Sequence, residues 1–222
     1  MQKIKALLLV VAVVFLAGCA TNRSVLDVSS SVPQDTQVVA DADGKAVFIN
    51  AVRDNRSFQE KPRSPNIPSL DPSEASSDVI KSRAIGRKRN SYGKGLGDIL
   101  LKEGTTVESL VISAIRRAFS ENGYRVLDDS SQITADVYVV DADIEQFWTW
   151  MNPGFWAITL SSEISTNVSI KEGKKKHELV VQSKAAEGFQ VGTESNYLKV
   201  ITGALNLYVE ELKRKLKNTP NL

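Results

Sequence analysis

The sequence predicts an α+β fold in which an antiparallel β-sheet with a long β-meander carries two amphipathic helices packed on one face. Apolar and polar residues alternate over residues 135–148 and 156–171, which is the period of half-buried strands. A lysine-rich turn and another strand over residues 177–187 follow, so these segments form an antiparallel meander. Two other segments repeat apolar residues at helical spacing and can cover the apolar side of the sheet.

The composition indicates one globular domain. The chain has 222 residues, of which 42% are hydrophobic and 24% charged, and this excludes two large domains, a polytopic membrane protein and a fully disordered chain. One cysteine, Cys19, and one histidine, His177, leave no intrachain disulfide and no zinc site of the usual Cys/His kind. We expect no catalytic residue, no cofactor and no bound metal, and hence a protein that is not an enzyme.

Residues 1–18 are typical of a signal peptide. Two lysines precede an apolar stretch over residues 6–16, which is shorter than the about 20 residues that a membrane-spanning helix needs. The motif Leu16-Ala17-Gly18-Cys19 resembles the lipobox of bacterial lipoproteins. That resemblance implies cleavage before Cys19, a diacylglycerol on its thiol and a third acyl chain on its amine, so that lipid alone would anchor the chain. The alternative is ordinary cleavage that leaves a free thiol.

The residue after the cysteine bears on location. Ala20 stands where an aspartate would favour retention in the inner membrane of Gram-negative bacteria, so the resemblance implies the outer membrane. The domain would face the periplasm or the cell surface. Loss of two lysines with the signal peptide lowers the 28 basic residues to 26, equal to the 26 acidic residues. A neutral exported chain has no electrostatic reason to bind nucleic acid, and neither nucleic acid nor a nucleotide is an expected partner.

The domain is predicted to follow a tether. Residues 19–44 are rich in small polar residues without a sustained period, which indicates a lipidated tether with room for one strand. The single domain is predicted over 45–217, with a short tail at 218–222. It opens with a strand at 46–52 that ends in a polar turn. Residues 57–80 hold four of the seven prolines and are predicted to be a mobile loop outside the core.

A basic cluster follows this loop and leads into a glycine-rich turn. A turn with solvated charges is favoured here, and the alternative is contact with an anionic lipid or glycan, for which Arg83, Arg87, Lys88 and Arg89 are the candidate residues. The turn lacks the GK[ST] ending of a phosphate-binding loop and the strand-to-helix setting of a dinucleotide site. A nucleotide is therefore not expected here.

Two helices are predicted beyond the short strand at 98–101. The first begins with Thr105 as N-cap and Glu108 as its capping-box partner, and it ends at Asn122 and Gly123. Its apolar stripe comprises Leu110, Val111, Ala114, Ile115, Ala118 and Phe119. The second helix is predicted over about residues 194–217, with lysine and arginine in its last turns, where they oppose the negative end of the helix dipole.

A row of carboxylates lies along the polar side of the 135–148 strand. Asp141, Asp143 and Glu145 alternate with an apolar face that is predicted to include Tyr138, Val140, Ala142, Ile144 and Trp148. Successive carboxylates are about 6.6 Å apart along a strand. A calcium site needs six or more converging oxygens, so a solvated row is favoured over a metal site.

All three tryptophans fall within residues 147–156, around an Asn-Pro-Gly turn. Phe147, Trp148, Trp150 and Phe155 are the candidate contacts for a protein partner or a membrane. Alternation places Trp148 and Trp156 on the core face, with Phe147, Trp150 and Phe155 directed elsewhere. The alternative is that this aromatic tip folds back onto the core or stabilises the hairpin through cross-strand pairs.

The order of motifs resembles the YajG-like family of bacterial lipoproteins. The resemblance rests on the lipobox, the strand ending Val52-Arg53-Asp54-Asn55-Arg56, the Ile85-Gly86-Arg87 and Gly97-Asp98-Ile99 segments, the Asn122-Gly123-Tyr124 helix end, and a meander closed by a C-terminal helix. It covers most of residues 45–216. The family has no assigned catalytic residues, so it implies an envelope lipoprotein without implying a site.

Two functions are compatible with these observations. The favoured one is a non-enzymatic, lipid-anchored binding or scaffolding module in the periplasm at the outer membrane, whose partner is an envelope protein. The alternative is an accessory lipoprotein of an envelope lipid-transport system that binds acyl chains.

Overall fold

A computed structural model describes residues 23–28, 44–90 and 92–220. The signal peptide and Cys19 lie outside the described residues. The strands are β1 (Ser24–Leu26), β2 (Ala46–Asp54), β3 (Ala84–Arg89), β4 (Gly95–Leu101), β5 (Arg125–Leu127), β6 (Tyr138–Pro153), β7 (Ile158–Glu172) and β8 (Lys175–Phe189). The helices are α1 (Asp78–Arg83), α2 (Val107–Glu121) and α3 (Glu194–Asn218). None of the helices in these ranges combines the length and apolar character that crossing a membrane requires.

Strand β6 is the centre of the sheet. Along one edge it pairs antiparallel with β7, which pairs antiparallel with β8. Along its other edge β6 pairs in parallel first with β2 and then with β3. Strand β2 pairs in turn with β5, whereas β3 pairs with β4 and β4 with β1. The α+β class with its long meander is confirmed. The sheet is mixed, because β2 and β3 both run in the same direction as β6.

The main core lies between the sheet and the helices α2 and α3. Every residue of the predicted α2 stripe is buried there. Helix α3 packs against β7 and β8, and its Tyr208 hydroxyl lies 2.7 Å from the Thr166 hydroxyl inside the core. Both amphipathic helices therefore cover one face of the sheet, as their apolar spacing predicts.

Helix α2 begins one residue later than the sequence predicts. Thr106 is the N-cap, its side chain accepts the Ser109 amide at 3.1 Å, and the Ser109 hydroxyl reciprocates at the Thr106 amide at 3.0 Å. Glu108 instead accepts the amide of Asp54 at 3.2 Å. The predicted Thr105–Glu108 capping box is wrong because serine satisfies the helix end and releases Glu108 to bind β2.

This cap gives the first prediction. Thr106→Ala should lower the free energy of unfolding by about 1 kcal/mol, and the melting temperature by about 2–4 °C for a domain of this size. Thr105→Ala is the matched control and should change little, because the Thr105 contact in the described structure is a backbone one, from its amide to the Lys102 carbonyl. Melting both variants by circular dichroism checks this, and equal losses would contradict the assigned cap.

Strand β6 contains a register shift that moves its aromatic residues between faces. Pairing with β7 is irregular between Ile144 and Gln146, so Glu145 is an extra residue in β6. Before the shift, Ile144 faces the helices; after it, Phe147 does so and Trp148 faces the opposite side. The prediction that Trp148 shares the face of Ile144 is wrong, because strict alternation does not continue through a bulge.

A second, smaller core occupies that opposite face. Its buried members are Leu70, Ala84, Leu100, Trp148 and Trp150, and Phe58 and Ile80 pack against them. The segment 57–80 covers this cluster, and its backbone accepts the Trp148 indole N–H at the Pro65 carbonyl at 3.2 Å. The prediction that residues 57–80 lie outside any core is therefore corrected, since a tryptophan-bearing face needs a cover and this segment supplies it.

The folded part of the chain also starts before residue 45. Strand β1 lies within residues 19–44 and pairs in parallel with β4, with Ser24 opposite Ile99. Leu26 and Val28 are buried in the main core. The tether predicted over residues 19–44 thus contains the one strand that its sequence left room for, and that strand belongs to the sheet.

Candidate functional site

Exposed aromatic side chains project from the turn between β6 and β7. Phe155 is 90% exposed and Trp156 is 83% exposed, and their rings meet edge to face with centroids 4.8 Å apart. A Cβ on Gly154 would lie 2.4 Å from the Ala157 carbonyl oxygen, so the turn closes tightly at a glycine. Trp156 was predicted on the core face, but β7 begins only at Ile158, which leaves this tryptophan in the turn.

The four predicted contact residues separate into two groups. Phe147 faces the helices, and Trp148 and Trp150 lie under the segment 57–80; all three are buried. The contact role predicted for these three is contradicted, because the bulge and the covering segment enclose them. Phe155 is the member of the set that is exposed. The aromatic tip is therefore partly core and partly surface.

A second turn at the same end of the sheet carries another exposed aromatic ring. Tyr92, between β3 and β4, is 93% exposed. The Asn90 side chain holds this turn by accepting the amides of Tyr92 at 3.0 Å and Lys94 at 2.9 Å. Strand β3 runs parallel to β6 with Gly86 opposite Thr149, so both strands reach their turns at the same end. We call Tyr92, Phe155 and Trp156 the aromatic end.

The chain enters the sheet from this end. Strand β4 starts at the β3–β4 turn, with Gly95 opposite Arg89, and β1 runs parallel to β4. The first described residue, Arg23, therefore lies on the side of Ser24 that faces the aromatic end. Its guanidinium forms ion pairs with Glu74 and, at 3.5 Å, with Asp98.

Asp98 is the centre of a charged groove of about 410 Å³ next to β1. Its side chain is 3% exposed, and Arg87 Nε lies 3.5 Å from one carboxylate oxygen while Arg23 approaches the other. Burial raises the pKa of Asp98 although both arginines act in the opposite direction. Arg87 also lies 3.7 Å from Asp71. The positive charge of Arg87 is thus balanced by carboxylates of the chain itself.

The other predicted anion contacts are directed to separate partners. Arg83 Nε donates to the Leu101 carbonyl at 2.9 Å, and Lys88 is buried. Arg89 is buried as well and donates to the Pro62 carbonyl at 3.2 Å and to the Ser69 hydroxyl at 2.6 Å. Burial lowers the pKa of Arg89. Arg83 is the last residue of α1, and the other three residues lie in β3. None of the four therefore belongs to the solvated turn that the sequence favours.

The carboxylate row on β6 is bound by its neighbours on β2 and β7. Asp141 accepts from Asn50 at 2.7 Å and from Lys171 at 3.1 Å. Asp143 accepts from Arg53 at 3.2 Å, and Glu145 accepts from Asn167 at 3.1 Å. Each carboxylate therefore faces an amide or a cation across the sheet. Burial acts to raise the pKa of Asp141, but the hydrogen bonds from Asn50 and Lys171 and the nearby cations together hold it below its usual range.

No protein-family model matches the sequence, and no curated protein matches it. Among solved structures, the chain is similar to the protein XCC0632 from Xanthomonas campestris, with 10% identity, a TM-score of 0.43, and coverage of 78% of this chain and 85% of that one. It is also similar to the lipoprotein GNA1162 from Neisseria meningitidis, with 8% identity, a TM-score of 0.24, and coverage of 78% and 99%. An uncharacterized protein has 9% identity, a TM-score of 0.46, and coverage of 88% and 99%. TM-scores this low establish neither a common fold nor a common function.

Proposed function

We propose that the chain is a lipid-anchored lipoprotein of the YajG-like kind, held at the outer membrane, whose α+β domain binds or scaffolds an envelope protein without catalysing a reaction. The observation that carries the proposal is the Leu16-Ala17-Gly18-Cys19 motif directly after the apolar stretch. Lipidation of a bacterial lipoprotein requires a cysteine at this position, because its thiol accepts the diacylglycerol. Ala20, where an aspartate would favour the inner membrane, supports location at the outer membrane.

The fold gives this proposal a geometry. Ser24, the first residue of β1, follows Cys19 by five residues, so the acyl chains would be attached close to the sheet rather than at the end of a long tether. The charged groups in the groove around Asp98 pair with one another, and the carboxylate row on β6 is likewise bound. We expect no acid–base catalysis at either cluster, because a catalytic group must reach a proton of the substrate and these carboxylates are engaged by cations and amides of the chain itself.

Anchoring is tested by Cys19→Ser in the full chain expressed in a Gram-negative host. We expect no incorporation of radiolabelled palmitate, because serine lacks the thiol that accepts the diacylglycerol, whereas the control Thr21→Ser should be labelled like the natural chain. Palmitate in the Cys19→Ser chain, or outer-membrane fractionation of that chain unchanged after a salt wash, would overturn the anchor.

The binding role is tested by purifying the acylated chain in mild detergent and identifying what accompanies it by mass spectrometry. One envelope protein in a fixed ratio supports the proposed role. A phospholipid retained in a fixed ratio, with no protein, would replace that role by the acyl-chain-carrying one.

A further inference from the structure

We propose that the aromatic end, formed by Tyr92, Phe155 and Trp156, is a second membrane contact that enters the interface of the bilayer in which Cys19 is anchored. The sheet would then stand on the membrane, with the turns of β3–β4 and β6–β7 pointing into it. This inference rests on the proposed lipid anchor. It adds an orientation and a lipid-binding surface that the anchor alone does not specify.

The chemistry of the aromatic end matches a membrane interface. Three aromatic side chains, each more than four-fifths exposed, project from two neighbouring turns. Tyrosine and tryptophan are the residues that concentrate at the level of lipid headgroups, because each combines an apolar ring with a polar atom. Phe155 adds a wholly apolar ring beside Trp156. Every other aromatic side chain among the described residues is buried or partly buried, and Trp148 and Trp150 are both enclosed in the second core.

The length of chain between Arg23 and Cys19 limits where the bilayer can lie. Arg23 is ion-paired to Asp98 of β4, and Asp98 pairs with Arg87 of β3. Arg87 lies one residue beyond Gly86, the residue of β3 that pairs with Thr149 of β6. From that level of β6 to Pro153 the strand continues for about 10 Å at ~3.3 Å per residue. The four residues from Arg23 back to Cys19 span at most ~14 Å. The acyl chains can therefore reach the level of the aromatic end and little farther.

The opposite end of the sheet is out of that reach. Strand β6 runs from Pro153 to Tyr138, which is about 50 Å at the same rise per residue. The remaining alternative is a domain that lies on the membrane along its β1 edge. That edge carries the exposed ion pair between Lys102 and Asp27, with nitrogen and oxygen 3.1 Å apart. Pressing charged groups into a bilayer is unfavourable, so contact through the aromatic rings is favoured.

Depth-dependent quenching of tryptophan tests this orientation. The full acylated chain is reconstituted in vesicles of phosphatidylethanolamine and phosphatidylglycerol whose acyl chains carry bromine, a contact quencher. The emission of Trp156 is obtained by subtracting the fluorescence of the Trp156→Phe variant from that of the natural chain. We expect bromine to quench most of this emission. Trp148 and Trp150 remain in that variant and report the background of the second core.

The matched control moves the same indole to the other end of the sheet. In the Trp156→Phe background, Lys174→Trp places a tryptophan in the exposed β7–β8 turn, beside Gly173 with φ +55°. Its emission should be unquenched in the same vesicles, because the turn lies far from the bilayer in the proposed orientation. Circular dichroism melts confirm that both variants fold.

The outcomes separate the two proposals. If the chain carries palmitate and floats with the vesicles but Trp156 is unquenched, the membrane contact is overturned while the lipid anchor stands; an aromatic end that binds a protein would give this result. Equal quenching of the tryptophans at 156 and 174 would also overturn the orientation. A chain that carries no acyl group and does not float would overturn the proposed anchor itself.

Discussion

Arg56→Ala is expected to lower the free energy of unfolding by about 3–5 kcal/mol, the loss typical of removing one partner from a buried ion pair. The Arg56 side chain is fully buried and forms a two-point ion pair with Asp54, with Nε and Nη2 each 2.7 Å from a carboxylate oxygen. The guanidinium also donates to three backbone carbonyls, those of Lys81 at 2.7 Å, Ala84 at 2.6 Å and Phe147 at 2.9 Å.

These bonds join four parts of the fold. Asp54 ends β2, Lys81 belongs to α1, Ala84 opens β3, and Phe147 follows the bulge of β6. Alanine would leave the Asp54 carboxylate and three carbonyls without this donor; the bonds to the Ala84 and Phe147 carbonyls are buried, and unsatisfied buried acceptors are costly. Since the free energy of unfolding of a whole domain is only about 5–15 kcal/mol, this one change should remove a large part of it.

Two variants make the result specific to the geometry of Arg56. Arg56→Lys keeps the charge but not the planar fork of donors, so it should recover only a minor part of the loss. Arg53→Ala removes a half-exposed arginine that pairs with Asp143 at 3.2 Å and should change stability by about 0–1 kcal/mol. Urea unfolding of the purified chain measures all three, and comparable losses for Arg53→Ala and Arg56→Ala would contradict the role given to Arg56.

The parts of the fold that the sequence predicts well are those where one period persists. Leu110 to Phe119 repeat at helical spacing without interruption, and every predicted stripe residue is buried. Strand β7 alternates between apolar and polar residues over most of its length, so its pairing with β8 as a hairpin follows from that pattern and from the Gly173 turn. In these elements the local pattern and the tertiary contacts favour the same structure.

Prediction was least successful in two places: where one extra residue changes the alternation of a strand, and where the segment that covers a face of the sheet is distant in sequence. Glu145 resembles any polar residue of an alternating strand, yet as a bulge it reverses the side that Phe147 and Trp148 face. Strand β3 carries several cations, and only its pairing with β4 and β6 and the cover from residues 57–80 explain their burial. Three separate features therefore determine which aromatic rings reach solvent: the bulge at Glu145, the cover from residues 57–80 and the start of β7 at Ile158.

Trp148→Ala should also lower the free energy of unfolding by about 3–5 kcal/mol, as is usual for truncating a buried tryptophan. Trp148 is fully buried, its ring meets Phe58 edge to face at a centroid distance of 6.0 Å, and its indole N–H binds the Pro65 carbonyl. These contacts hold residues 57–80 against the sheet. The loss should therefore be accompanied by faster tryptic cleavage at Lys61 and Arg63, both exposed in that segment.

Trp156→Ala is the matched control, because it removes the same side chain from the same hairpin at a position that is 83% exposed. It should change the free energy of unfolding by less than about 0.5 kcal/mol and leave cleavage of the 57–80 segment unchanged. Thermal melts and timed trypsin digests of both variants, analysed by mass spectrometry, compare them. If Trp156→Ala were as destabilising as Trp148→Ala, the turn would be part of the core and the aromatic end would not be free to meet a membrane.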